Sequence, residues 1–288
     1  MQVLRAREMG FCFGVRRAVD MMEEAVRERG QMVSLGSVVH NPLVVEKLRQ
    51  EGLDVITDVA DARDKAVAIT AHGVGPNIIR DLQAAGAEIV DGTCPIVTRS
   101  QQWAKKLTDE GYGLVVFGDP QHKEMRGVLG WANGKVMVVP AREEPGELPA
   151  DFPSRIGVLS QTTETEQRFS TFVKQLLERN MERISELRVI NTLCHATTSQ
   201  QAATMELAGQ VDLMIVVGGR ESANTRHLAD VSRECGVETY HIERAEEIEA
   251  DWLRGHERVG ITAGASTPDS SVDEVEQRLA ELAPLVGA

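Results

Sequence analysis

Three of the four cysteines share a setting that the fourth lacks. Cys12 stands in Met9-Gly-Phe-Cys-Phe-Gly-Val, Cys94 in Asp91-Gly-Thr-Cys-Pro-Ile-Val and Cys194 in Asn191-Thr-Leu-Cys-His-Ala-Thr. Each precedes a stretch of helical periodicity. After Cys12, the residues Val15, Ala18, Val19, Met22, Ala25 and Val26 recur at helical spacing until Gly30; the stretches after Cys94 and Cys194 run to about Gly111 and Gly209. A thiol at a helix N-terminus feels the positive end of the dipole, which favours the thiolate and metal ligation. No CxxC pair is present, which argues against a zinc ribbon or a thioredoxin-type motif. Cys235, in Arg233-Glu-Cys-Gly-Val, reads as an ordinary small hydrophobe.

The three cysteines head three copies of one pattern. His40, His122 and Ser222 each lie 28 residues beyond a cysteine, and each follows an apolar strand-like run: Val33 to Val39, Leu114 to Phe117, Leu213 to Val217. A second polar loop recurs further on. Val67 to Thr70 leads into Ala71-His72-Gly, Ile156 to Leu159 into Ser160-Gln-Thr162, and Val259 to Thr262 into Ala263-Gly-Ala-Ser266. Strands alternating with helices in a fixed repeat define an α/β protein with small parallel sheets, whose ligands sit beyond the carboxyl ends of the strands. The expected organisation is three pseudo-symmetric α/β units, residues 1–95, 96–193 and 194–288, arranged as a trefoil around a central cavity. The Pro- and acid-rich stretch Pro140 to Pro153 reads as a long surface loop in the second unit.

Three thiolates without a fourth in matching context suggest an iron–sulfur cluster with one iron left open, whereas structural zinc takes four closed ligands. The spacing itself specifies only a three-thiolate site. The imidazoles, small hydroxyls and helix-start N–H groups around His40, His72, His122, Thr162, Ser222, Asn224 and Ser266 suit a phosphate or diphosphate. Glu124, two residues past His122, is the carboxylate placed to act as a general acid there. No G-x-G-x-x-G or Walker A pattern follows a strand, so no nucleotide cofactor is indicated.

The bulk composition is that of a globular chain: 288 residues, 42% apolar and 26% charged, with a formal charge of −13. That acidity argues against nucleic acid and anionic membrane as partners. No apolar run approaches the ~20 residues of a membrane span, and the first residues contain no signal-peptide h-region, so a soluble, cytoplasmic protein is expected.

Taken together, these motifs resemble the 4-hydroxy-3-methylbut-2-enyl diphosphate reductase (IspH/LytB) family of the non-mevalonate isoprenoid pathway. The resemblance spans nearly the whole chain and rests on Gly10 to Val19, His40-Asn-Pro, Ala71-His72-Gly-Val, Asp91-Gly-Thr-Cys94-Pro, His122-x-Glu124, Gln161-Thr162-Thr, Asn191-Thr-Leu-Cys194-x-Ala-Thr, Ser222-Ala-Asn224 and Thr262-Ala-Gly-Ala-Ser266. It implies a [4Fe–4S] cluster on Cys12, Cys94 and Cys194, with one iron open. It implies that His40, His72, Ser222, Asn224 and Ser266 hold the diphosphate, that His122 and Thr162 line the same cavity, and that Glu124 donates protons. The implied reaction takes two electrons and two protons, expels water and gives isopentenyl and dimethylallyl diphosphate. Lys123 stands where many members carry Pro, and Ala223 where some carry a second Ser. The implied electron donor is ferredoxin or flavodoxin, and Arg5, Arg7, Arg16 and Arg17 form the candidate basic patch for it. Competing readings are a quinolinate-synthase-like or other cluster dehydratase, which would want convergent Arg or Lys in the loops, and a non-enzymatic redox sensor, which would need no proton donor.

Overall fold

Short β-branched runs separated by longer helical stretches form the elements that the period-2 and period-3.6 patterns call for. The computed structural model describes residues 1–286. In chain order it contains β1 (Gln2–Arg5), α1 (Phe13–Arg29), β2 (Met32–Leu35), α2 (Pro42–Glu51), β3 (Leu53–Ile56), β4 (Ala66–Ile69), α3 (Pro76–Ala84) and β5 (Glu88–Asp91). There follow α4 (Pro95–Asp109), β6 (Gly113–Phe117), α5 (Lys123–Gly130), β7 (Val136–Val139), β8 (Arg155–Ser160), α6 (Glu166–Asn180) and β9 (Glu186–Val189). The last part holds α7 (His195–Ala208), β10 (Leu213–Val217), α8 (Ala223–Glu234), β11 (Glu238–Ile242), β12 (Arg258–Ala263) and α9 (Asp269–Val286).

The strands form three four-stranded sheets, ordered β3-β2-β4-β5, β7-β6-β8-β9 and β11-β10-β12-β1, and every pairing is parallel. The order is the same in each: second, first, third, fourth strand. In the last sheet the fourth place is taken by the N-terminal strand, with Val3 against Val259. The α/β class and parallel sheets expected from the sequence are present. By internal contacts the chain divides into two compact units. One comprises Met1–Arg16, Val39–Lys47 and the chain from His195 on, with the β1-containing sheet; the other comprises Arg17–Val38 and Leu48–Cys194, with the other two sheets.

The central strands are covered on both faces, as parallel sheets require. In β6 and β8, Val115, Phe117 and Val158 pack on Phe169, Phe172 and Leu176 of α6. The alternate residues Leu114, Val116 and Leu159 pack on Ala104 and Leu107 of α4 and on Met125 and Val128 of α5. In the other unit Ile215, Val217, Val259 and Ile261 pack on Val272, Val275 and Leu279 of α9. Each such side chain, when fully buried, contributes about 1.5–3 kcal/mol.

Two sequence expectations change. The run Val33 to Val39 is a strand only to Leu35, because Gly36 takes φ +81° and turns the chain; Val38 and Val39 are buried loop residues. The stretch from Pro140 to Pro153 is anchored rather than merely superficial. Leu148 and Phe152 enter the hydrophobic core, and Asn180 Oδ1 accepts the Leu148 N–H at 2.8 Å. No helix of the described residues is long and apolar enough to cross a membrane.

Candidate active site

The threefold repeat is written into the backbone hydrogen bonds at the strand ends. The Cys94 N–H donates to Ala71 O (3.0 Å), the Cys194 N–H to Thr162 O (2.8 Å) and the Cys12 N–H to Ala265 O (3.1 Å). Each cysteine is thus tied to the loop that leaves the third strand of its sheet. A second equivalence closes the first loop: Gly36 N–H to Ile56 O, Gly118 N–H to Val139 O and Gly218 N–H to Ile242 O, at 2.8, 3.0 and 2.9 Å. These glycines have φ of +81°, +155° and +142°, and a Cβ at Gly118 would lie 2.6 Å from the Cβ of Gln161. Only glycine makes this turn without strain.

The unit containing residues 48–194 holds Cys94, Cys194, His72, His122, Glu124 and Thr162. Cys94 is the N-cap of α4, where the nearby N–H groups of Ile96 and Val97 favour the thiolate. Burial nevertheless pushes its thiol up, and the charges of Cys194 and Glu124 act in the same direction. The helix N–H groups do favour the thiolate, as expected from the sequence, but in the protein alone desolvation outweighs them. The rings of His72 and His122 meet edge-on, with centroids 5.6 Å apart. His122 caps α5, its Nδ1 accepting the Glu124 N–H at 3.3 Å. Glu124 is buried, and both its oxygens are held by one residue: Thr162 N–H at 2.8 Å and Thr162 Oγ1–H at 2.7 Å. Burial raises the Glu124 pKa, while the two Thr162 hydrogen bonds pull against it. A buried carboxyl whose pKa is raised is suited to acid catalysis.

The other unit holds Cys12, His40, Ser222, Asn224 and Ser266. Cys12 precedes α1, and its sulfur accepts the Val15 N–H at 3.4 Å. Ser222 is the N-cap of α8, its Oγ accepting the Thr225 N–H at 3.3 Å, so its hydroxyl proton can serve a ligand. Asn224 is buried in the first turn of that helix. Ser266 Oγ–H donates to His40 O at 3.3 Å, which joins two of the expected ligand-binding residues directly.

Sequence spacing located the loops without aligning every residue within them. In the first repeat the helix cap is Asn41, whose Oδ1 accepts the Leu43 N–H at 3.0 Å, and His40 precedes it. In the second loop the shared bond to the cysteine aligns Ala71 with Thr162 and Ala265. Thr163, not Thr162, therefore occupies the position of His72 and Ser266. Variable loop lengths hide that alignment in the sequence; the cysteine hydrogen bond reveals it. The candidate basic patch is largely neutralised. Arg5 pairs with Asp273 and Glu276, Arg7 with Glu206 at 3.2 Å and Arg16 with Asp269 at 3.5 Å. Arg17 donates to Thr93 O.

Fold and site together define an α/β protein of threefold-repeated parallel sheets with one thiol at the head of a helix in each repeat. Comparison with known proteins makes this specific. The family model described as LytB protein matches residues 3–280. A 4-hydroxy-3-methylbut-2-enyl diphosphate reductase of Dehalococcoides mccartyi is 44% identical over 275 residues, 96% of each chain, and one of Geobacter sulfurreducens is 42% identical over 281 residues, 98% of each. Among solved structures, the corresponding reductase of Plasmodium falciparum matches with TM-score 0.88 at 25% identity, over 97% of this chain and 88% of its own. A structure of (E)-4-hydroxy-3-methyl-but-2-enyl diphosphate reductase matches with TM-score 0.68 at 37% identity, over 98% of this chain and all of its own. The chain belongs to the LytB family.

Membership in this family implies an iron–sulfur cluster, and the donor set fits one. The sulfur of Cys12 accepts a backbone N–H bond, as cluster-bound sulfurs do, and none of Cys12, Cys94 and Cys194 is in a disulfide. The raised Cys94 thiol is one that a bound metal centre would ionise.

Proposed function

We propose that the chain reduces 4-hydroxy-3-methylbut-2-enyl diphosphate to isopentenyl and dimethylallyl diphosphate with loss of water. The observation that supports it most is the Glu124–Thr162 pair: a buried carboxyl, its pKa raised by burial, in the same unit as Cys94 and Cys194. Cys12, Cys94 and Cys194 would hold a [4Fe–4S] cluster with one iron left for substrate. Bound there, the cluster would pass on, one at a time, the two electrons of an external donor and supply Lewis acidity toward the substrate hydroxyl.

The remaining chemistry belongs to the side chains. Glu124 holds a proton at its carboxyl and delivers it to the departing hydroxyl, which leaves as water; a second proton, taken up at either end of the allyl unit, completes isopentenyl or dimethylallyl diphosphate. Thr162 fixes both Glu124 oxygens, so the proton is presented in one direction. His40, His72, Ser222, Asn224 and Ser266 bind the diphosphate, with His122 and Thr162 beside the reacting end. The α8 N-terminus adds N–H donors at the place where Ala223 removes a hydroxyl. A ferredoxin or flavodoxin supplies electrons; exposed Phe13, next to Cys12, and Arg16, stacked over Phe11 at 5.5 Å, are the contact residues we assign to that encounter.

The test is a Mössbauer spectrum of anaerobically prepared, iron-57-labelled protein with and without the allylic diphosphate. A change confined to one iron of a four-iron cluster, with formation of both products under a reducing dye, is expected. A cluster indifferent to the diphosphate would reject the substrate and point to the dehydratase.

Close packing at the diphosphate loops gives a second expectation. A Cβ on Gly219 would lie 2.1 Å from His40 O and 3.0 Å from its carbonyl carbon. Gly219→Ala must displace His40, at the ~1–3 kcal/mol typical of overpacking. Substrate Kd, measured by calorimetry, should rise about tenfold. Unchanged affinity would remove His40 from the binding set.

A further inference from the structure

Three amide groups in the unit that contains Cys12 and α8 form a chain with only one consistent polarity. Gln200, buried on α7, donates from Nε2 to Gly10 O at 2.8 Å, two residues before Cys12. Its Oε1 accepts from Asn224 Nδ2 at 2.9 Å. Gly10 O can only accept, so Gln200 must turn Nε2 toward it and Oε1 toward Asn224. Asn224 must then answer with Nδ2. Its Oδ1 is left facing elsewhere, buried and without a hydrogen-bond partner among the described residues. Flipping either amide would set two donors or two acceptors face to face, which is costly in a buried site.

We propose that Gln200 is a positioning residue that fixes Asn224 as a hydrogen-bond acceptor, so that Asn224 recognises a protonated oxygen of the diphosphate through Oδ1. This rests on the assignment of Asn224 to diphosphate binding. An anionic oxygen offers no proton to an amide carbonyl and would be repelled by it, whereas a P–OH group satisfies the orphaned acceptor. Ser222 is complementary, since its capping oxygen accepts from the backbone and leaves a hydroxyl proton to donate. The pair therefore reads one ionised and one protonated phosphate oxygen. The same Gln200 amide steadies the turn at Gly10, whose φ is +73°, so the Cys12 segment and the phosphate loop share one support.

The test uses anaerobically prepared holoprotein and inorganic diphosphate as the probe, with Kd measured by calorimetry at pH 6 and pH 8. In Asn224→Asp, a protonated carboxyl reproduces the polarity: its O–H donates to Gln200 Oε1 and its C=O accepts from the ligand. Binding by this variant should be near wild type at pH 6 and weaker by about tenfold or more at pH 8, beyond the change seen in the wild type. Asn224→Ala should weaken binding at both pH values. Gln200→Leu, which frees the Asn224 amide to rotate, should raise substrate KM about tenfold while kcat changes far less. If Asn224→Asp binds as poorly as Asn224→Ala at both pH values, the acceptor role fails and Asn224 remains a donor to the diphosphate. Should Asn224→Ala itself leave Kd unchanged, the assignment of Asn224 to the diphosphate fails as well. An unaltered cluster absorption spectrum shows that each variant is folded and loaded.

Discussion

Glu124→Gln is expected to lower kcat by about a hundred- to ten-thousand-fold while leaving the cluster spectrum and substrate affinity close to those of the wild type. The amide keeps the shape of the carboxyl. Its oxygen can still accept the Thr162 N–H now made at 2.8 Å, and the Thr162 hydroxyl can rotate to accept from the new NH2 group. What the variant lacks is a transferable proton. The sign of the pH dependence follows from the same geometry. A general acid works only while protonated, so turnover falls as pH rises through the Glu124 pKa, which burial holds above its ordinary value. Thr162 opposes that shift with two hydrogen bonds to the carboxylate. Thr162→Val removes one of them and should move the alkaline limb of the kcat profile to higher pH. Retained turnover in Glu124→Gln would take the proton donor away from this residue. A Thr162→Val profile that moves downward would contradict the assigned polarity of the pair.

The sequence displays this site unevenly, for physical reasons. Spacing is visible where the intervening chain is the same helix and strand in every repeat. The interval from cysteine to first loop spans one helix and one buried strand, and it leads to the caps His122 and Ser222. The return to the second loop passes through connections of different length, including the anchored strap before β8, so counting residues cannot align that loop, and only the hydrogen-bond register shows Thr163 as the equivalent of His72 and Ser266. Pairings across long separations are invisible to any local pattern. The joining of β1 to β12 and the pairing of Arg5 with Asp273 and Glu276 both tie the first residues to the last helix region. A cluster of arginines near Cys12 reads as a basic patch in one dimension, whereas in three Arg5, Arg7 and Arg16 are ion-paired. Gln200 carries no signature at all: a glutamine inside a helical stretch acquires meaning only from the two amides that it bridges.

Glu164→Gln is expected to stabilise the protein above neutral pH by about 3 kcal/mol. Glu164 is buried in the loop after β8, where the Glu164 N–H donates to Gln161 O. The same backbone bond in the other repeats is made by Gly73 and Thr267, so a carboxyl at this place is peculiar to the second repeat. Burial raises its pKa from 4.5 to about 7, the charges of Glu124 and Asp119 add to the rise, and Arg168 opposes it. Because the folded pKa lies above the unfolded one, the folded state binds the extra proton between these values. Stability is therefore lost as pH rises from about 4.5 to about 7, and the loss is complete above that. At 1.4 kcal/mol per pH unit the span corresponds to about 3 kcal/mol. Glutamine cannot ionise, so the variant should lack this slope, and anaerobic denaturation curves at pH 5 and pH 8 would show it. A variant with the wild-type pH dependence would mean that Glu164 is already ionised at low pH in the folded protein. The consequence reaches Glu124: once ionised, Glu164 places a second negative charge in its surroundings and strengthens its hold on the proton. Removing that charge should shift the alkaline limb of turnover to lower pH, opposite to the shift from Thr162→Val, so the two variants bracket the proton affinity of the catalytic carboxyl from either side.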